Sequence, residues 1–80
     1  MRLKWTKLAW THTEGVGPTA VYYYVKRSTD GRYLIVRRSS AAERRVTFSA
    51  QTVDGVLLLS DAPLERQAKA AANEDAERAS

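Results

Sequence analysis

Arginine and lysine occur in short clusters at or beside three consecutive predicted strands. The members of these clusters are Lys26, Arg27, Arg32, Arg37, Arg38, Arg44 and Arg45. Guanidinium and ammonium groups neutralise phosphates, arginine guanidinium groups also hydrogen-bond to bases, and aromatic rings stack on bases. If these strands adjoin, the clusters lie near one edge and one face of a sheet, interleaved with Tyr22 and Tyr24 or with Tyr23 and Tyr33. The pattern therefore predicts a nucleic-acid-binding surface at these seven residues.

The distribution of charge along the chain supports an anionic partner. Residues 1–45 carry ten Lys/Arg against three Asp/Glu and hold six of the seven aromatics, whereas residues 46–80 carry three Lys/Arg against six Asp/Glu. The formal charge of +4 thus combines a basic front half and an acidic tail. The opposing interpretation is that the arginines form a solvated outer face and the tyrosines pack beneath a helix, since surface charge runs are usually only solvated.

The residues that enzymes and metal sites need are scarce. The chain has no cysteine and one histidine, His12, which we expect to be a plain surface residue. Glu74, Asp75 and Glu77 form a solubilising helix end without an acid/base arrangement. The sequence contains neither a nucleophile elbow nor a phosphate loop. We therefore expect no enzymatic activity, no cofactor and no metal.

The length of 80 residues fits one domain, residues 1–80, with a thin core. The N-terminus lacks the apolar run of a signal peptide, and no stretch is long enough to span a membrane. A small domain without disulfides suits a reducing cytoplasm, so we expect a cytoplasmic protein with no membrane partner.

Turn signals rich in Gly, Pro, Ser and Asp divide the first sixty residues into five candidate strands within residues 3–60. These signals lie at residues 15–18, 28–31, 39–42 and 54–55. Residues 21–25 and 33–36 are rich in β-branched and aromatic side chains on either side of the Asp30-Gly31 turn, which predicts a hairpin of central strands. Residues 45–50 alternate, as in a strand with one wet face.

The two outer segments leave alternatives open. In the first, a bulge between Thr6 and Leu8 would bring Trp5 and Trp10 together, and each tryptophan is either core or an interaction anchor. The segment of residues 56–59 is either a short edge strand or the apolar entry to a helix.

After Ser60 the apolar period becomes helical, which predicts a helix over about 62–77 with frayed last residues. Ser60 or Asp61 is the expected N-cap, and Pro63 falls in the first turn. The apolar stripe comprises Leu64, Ala68, Ala71, Ala72 and Ala76, and its expected partners on the sheet are Phe48 and Ile35 or Leu34. The sequence therefore predicts an α+β fold: a four- or five-stranded antiparallel β-sheet meander with one C-terminal α-helix packed on one face.

The Asp30-Gly31-Arg32-Tyr33 turn, the strand after it and the Ala-rich helix beginning near Leu64 resemble small orphan proteins of actinobacteria and their phages, whose function is unknown. More distantly, the pattern is similar to the arm-type DNA-binding domain of tyrosine integrases and to AP2-like domains. That similarity implies a sheet face that enters the DNA major groove, with Lys26, Arg27, Arg32, Arg37 and Arg45 at the matching basic positions. An extra N-terminal strand and a long connection over residues 39–44 depart from the integrase pattern.

Two functions remain open at this point. The first is a small, non-enzymatic, phage-encoded β-sheet module that binds DNA or RNA. The second is a protein-interaction module, either a phage factor that docks on a host protein or a homodimer, with no role in nucleic-acid binding. The protein is expected to be a monomer or a homodimer, and the two functions differ in how steeply binding falls with salt.

Overall fold

The computed structural model describes residues 2–79, except for the side chains of residues 9–12. The elements in chain order are β1 (Trp5–Glu14), a 3-10 turn (Gly17–Thr19), β2 (Val21–Ser28), β3 (Tyr33–Ser40), β4 (Arg45–Thr52), β5 (Leu57–Ala62) and α1 (Glu65–Ala79). The expectations for Trp10 and His12 concern side chains that lie outside the described ones.

The five strands form one antiparallel sheet in the order β1-β2-β3-β4-β5, and α1 packs against it. The predicted α+β meander with one C-terminal helix is confirmed, and the segment after Gly55 is an edge strand. Helix α1 has 15 residues with a polar outer side, and it is too short and too polar to span a bilayer.

The predicted hairpin between β2 and β3 is built around Asp30 and Gly31. The Asp30 carboxylate accepts hydrogen bonds from Ser28 Oγ at 2.7 Å and from the backbone N–H of Arg32 at 3.1 Å. Gly31 has φ of 79°, a value that costs glycine nothing because it lacks a Cβ. The turn residues therefore fix the register in which β2 and β3 pair.

That register divides the side chains between two faces. Residues directly opposite each other in an antiparallel pair project to the same side. Ile35 pairs with Lys26 and Ala50, and it lies on the face that α1 covers, which we call the helix-side face. Val36 pairs with Val25 and Ser49 on the opposite side, which we call the open face.

The core lies between the alanine stripe of α1 and the helix-side face. Ala68 packs in one cluster with Ile35 and Ala50, and Ala72 and Ala76 pack in a second cluster with Tyr33 and Leu3. Because alanine carries a single methyl group, the helix axis approaches the strands closely.

Two residues that the sequence placed in the contact between helix and sheet lie elsewhere in the structure. Leu64 lies before the helix and is 44% exposed, so its predicted burial in the stripe is wrong. Of the expected sheet partners, Phe48 and Ile35 join the core, whereas Leu34 lies on the open face because it neighbours Ile35 along the strand.

The helix begins later than predicted. Pro63 holds the preceding residue in an extended conformation, so β5 continues through Ser60 and Asp61 to Ala62. Other residues therefore cap the helix. The backbone N–H of Leu64 donates to Gln67 Oε1 at 3.2 Å, which is the hydrogen bond that the N3 side chain accepts from the N-cap residue in a capping box. At the other end, residues 77–79 are helical rather than frayed.

Strand β1 contains an irregularity between Lys7 and Thr11. Lys7 pairs with Lys26 and Thr11 pairs with Tyr24, so three residues of β1 oppose one residue of β2. The irregularity begins after the predicted position between Thr6 and Leu8.

Side chains near the C-terminal half of α1 accept hydrogen bonds from the sheet and from the start of the chain. The Tyr33 hydroxyl donates to Asp75 Oδ2 at 2.7 Å, and the backbone N–H of Leu3 donates to Asn73 Oδ1 at 2.8 Å. The hydrogen bond to Asp75, followed by burial, raises the pKa of Tyr33 above its ordinary value. The phenol is therefore held in its neutral, donating form.

Replacing Ala68 by leucine should lower the free energy of unfolding by about 1 to 3 kcal/mol, because the added atoms have no space between helix and sheet. Urea unfolding measures the change. Ala70→Leu is the matched control, since Ala70 is exposed on the same helix. Equal stability of the two variants would show that Ala68 does not set the helix–sheet distance.

Tyr33→Phe should lower the free energy of unfolding by about 1 kcal/mol at neutral pH, because it removes the hydrogen bond to Asp75. The folded pKa of Tyr33 is raised, so its contribution is complete below the unfolded value of about 10 and is lost as pH rises through the folded value. The difference between wild type and variant should therefore shrink above about pH 10. Tyr22→Phe, at a tyrosine 42% exposed, is the matched control and should leave the free energy of unfolding at neutral pH close to the wild-type value.

Candidate nucleic-acid interface

The seven predicted basic residues do not share one face of the sheet. Lys26 and Arg37 lie on the helix-side face, whereas Arg27, Arg38 and Arg45 lie on the open face. Side chains of successive strand residues project to opposite sides, so each adjacent basic pair is divided between the two faces. The expectation of a single basic face is therefore wrong.

The remaining two residues lie in turns at opposite ends of the sheet. Arg32 precedes β3 and Arg44 follows it, and the strand between them has 8 residues, or roughly 25 Å. Arg32 Nε lies 2.8 Å from Asp30 Oδ2, and its guanidinium stacks over the Tyr33 ring at 5.3 Å. Arg44 is exposed and has φ of 51°. One ligand would have to span the whole sheet to contact both.

The open face carries a loose set of cations. Arg27 pairs with Leu34, and Arg38 lies four residues farther along β3, roughly 13 Å away. A hydrogen bond to Tyr23 raises the pKa of Arg38, and Glu43 lies 3.5 Å from its guanidinium. Arg38 is thus already engaged by neighbours on this face.

A recess opens on the helix-side face where α1 begins, and we call it the aromatic groove. It encloses about 470 Å³. Its lining residues are Lys7, Tyr24, Val25, Lys26, Ile35, Arg37, Phe48 and Glu65. The groove exists because α1 packs on β3, β4 and β5 and leaves the neighbouring part of β1 and β2 uncovered.

Arg37 lies between two aromatic side chains in this groove. It pairs with Tyr24 on one side and with Phe48 on the other, so the three side chains form a row across β2, β3 and β4. The Arg37 guanidinium lies 5.1 Å from the centre of the Tyr24 ring, within the range of a cation–π contact. The row combines a planar cation with two π surfaces.

The groove is flanked by lysines and one carboxylate. Lys7 and Lys26 face each other across β1 and β2. Glu65, in the first turn of α1, lies 2.7 Å from Lys26 Nζ and 3.5 Å from Lys69 Nζ. The hydrogen bond from Lys26 is the main cause that lowers the pKa of Glu65. Among the described side chains, Glu65 is the one acid in the lining.

Lys7 and Phe48 line the groove but were not among the residues predicted from sequence to bind nucleic acid. Lys7 is isolated in the sequence and carries no cluster signal; the available hint is its position two residues after Trp5 in a strand. Phe48 was assigned to the core, and it also packs against the Ile35 cluster. Only the pairing register shows that Phe48 lies beside Arg37.

Within residues 2–79, the described side chains contain no group of three or more His, Asp or Glu suited to hold a metal ion. Comparisons with models of protein families, with curated proteins and with solved structures find no match for this chain.

Glu65→Gln should lower the free energy of unfolding at neutral pH by less than about 1 kcal/mol, because a partly exposed ion pair is screened by solvent. The folded pKa of Glu65 is lowered, so its contribution is complete above the unfolded value of about 4.3 and is lost as pH falls through the folded value. The free energies of unfolding of Glu65→Gln and wild type should therefore become equal as the pH falls. Glu74→Gln, at an exposed pair 3.9 Å apart, is the control and should leave the free energy of unfolding at neutral pH close to the wild-type value.

Proposed function

We propose that this protein is a small, non-enzymatic nucleic-acid-binding module that uses the aromatic groove. The observation that carries the proposal is the row of Tyr24, Arg37 and Phe48, flanked by Lys7 and Lys26. Stacking surfaces and phosphate-binding cations are the two components of nucleic-acid binding in a groove. In this groove they lie next to each other.

The role of each residue in the aromatic groove follows from the chemistry of its side chain. Lys7 and Lys26 project ammonium groups at the side of the groove and neutralise phosphates. Tyr24 and Phe48 offer ring surfaces for bases, and Arg37 either stacks on a base or donates to a phosphate. Binding releases counterions, so affinity falls as the salt concentration rises.

Two of the other predicted residues are less available to a phosphate, because neighbouring side chains already engage them. Arg32 is held by Asp30, and Arg38 by Tyr23 and Glu43. A phosphate would have to compete with carboxylates that are already in place. In the aromatic groove the corresponding competitor is Glu65, whose charge is shared between Lys26 and Lys69.

Arg37→Glu should abolish most binding of a labelled nucleic-acid probe in fluorescence anisotropy at low salt, because it reverses the charge at the centre of the groove. Tyr24→Ala should weaken binding by roughly tenfold, a stacking loss of about 1 to 3 kcal/mol. Arg27→Glu is the matched control: it makes the same change of charge on the opposite face and should retain most of the affinity. Urea unfolding of each variant verifies that the fold is intact.

The alternative protein-interaction role predicts different results. If neither single-stranded nor duplex probes bind at low ionic strength, nucleic-acid binding is refuted and docking on a protein becomes the better account. If Arg27→Glu weakens binding as much as Arg37→Glu, the groove is not the interface.

A further inference from the structure

A second recess lies beside α1 on the same side of the sheet, and we call it the helix-flank groove. It encloses about 300 Å³. Its lining residues are Arg2, Leu3, Trp5, Arg66, Lys69, Ala70 and Asn73. Three of these carry positive charge, and no acidic side chain is among the described lining residues.

The two grooves adjoin on both of their walls. On the strand wall, Trp5 lines the helix-flank groove and Lys7, two residues along the same face of β1, lines the aromatic groove. On the helix wall, Lys69 lines the helix-flank groove and Glu65 lines the aromatic groove. The two residues are separated by one turn of α1 and form an ion pair at 3.5 Å. The two recesses therefore follow one another along the flank of α1, and we call the pair the trough.

We propose that this trough binds a single-stranded nucleic acid, which crosses from Tyr24 and Arg37 past Trp5 to Arg2, Arg66 and Lys69. This inference rests on the proposed function and assigns to it a ligand class and a path. The strand positions from Tyr24 to Leu3 span roughly 20 Å, which matches about six nucleotides at the stacked spacing.

The shape and chemistry of the trough favour a single strand over a duplex. Its rings, Tyr24, Phe48 and Trp5, belong to strands at its floor, beside the helix. Bases in a duplex are paired and stacked on each other, so their faces cannot reach such rings. Unpaired bases can enter a recess, while the phosphates follow the cations of the two walls.

Lys69 and Arg66 come from the acidic half of the chain, so their role depends on how α1 lies on the sheet. Lys69 is one turn from Glu65, and Glu65 is bound to Lys26 of the aromatic groove. A phosphate bound between Lys26 and Lys69 would lie near both ammonium groups and near the Glu65 carboxylate that joins them. Glu65 then limits affinity and keeps the lysines ordered in the free protein.

The test compares two double variants that each remove two positive charges. Arg66→Gln with Lys69→Gln neutralises the helix wall of the trough, whereas Arg27→Gln with Arg78→Gln neutralises one residue on the open face and one near the end of α1. The probe is a labelled oligothymidylate of about ten nucleotides, compared with one of about three nucleotides and with a mixed-sequence duplex.

The trough predicts that the helix-wall double variant binds the longer oligonucleotide roughly tenfold more weakly and lowers its salt slope by about 1.4, two contacts at about 0.7 each. The control double variant should retain the wild-type slope, and the shortest probe, which fills only the aromatic groove, should bind both variants equally. The wild type should prefer the single strand to the duplex.

Three results would overturn the inference. If both double variants weaken binding equally, the effect is one of net charge and there is no trough. If the duplex binds as well as the single strand, the ligand class is wrong, and nucleic-acid binding through the aromatic groove still stands if Arg37→Glu abolishes it. If no probe binds the wild type at low salt, the proposed function and the trough fail together.

Discussion

The close packing of the alanine stripe of α1 on the sheet is the contact on which the rest of the structure depends. Ala68 and Ala72 are fully buried, and the first packs directly with Ile35 and Ala50. Alanine buries little area, so the helix needs apolar bulk from the sheet, which β3, β4 and β5 supply together with Leu3 and Trp5. The helix-side positions of β1 and β2 include Lys7 and Lys26, which cannot replace that bulk. The helix is therefore displaced toward one edge, and the trough is the uncovered remainder of the same face.

Strand geometry decides what the clustered cations can do. A basic pair in a strand always divides between the faces, so Lys26 and Arg27 never act on one ligand surface. On the open face, Glu43 and Tyr23 engage Arg38. On the helix-side face, Arg37 stacks on Tyr24 and remains beside a recess. Two surfaces that both carry cations thus differ in shape, because the uncovered part of the helix-side face forms a recess.

The acidic half of the chain does more than maintain solubility. Its first helical carboxylate, Glu65, binds Lys26 from the sheet and Lys69 from its own helix, and it therefore joins the two halves electrostatically. Asp75 accepts the hydrogen bond of Tyr33 at the far end of the same helix. Both acids orient α1 on the sheet, and Glu65 also sets the charge of the groove. The contact between helix and sheet and the charge of the groove are consequently coupled at one side chain.

The sequence by itself determined the class of fold, because period-two and helical patterns and the turn residues around Asp30-Gly31 are local properties. It also predicted the alanine stripe, of which Ala68, Ala72 and Ala76 are buried, and the partnership with Phe48, while it left Ile35 and Leu34 as alternatives. It could not fix the helix start, since the restriction that Pro63 imposes on Ala62 outweighed the capping potential of Ser60 and Asp61. The candidate site was decided by tertiary structure alone. Lys7, Arg37 and Phe48 are far apart in the chain, and only the strand register and the displaced position of α1 bring them to one groove.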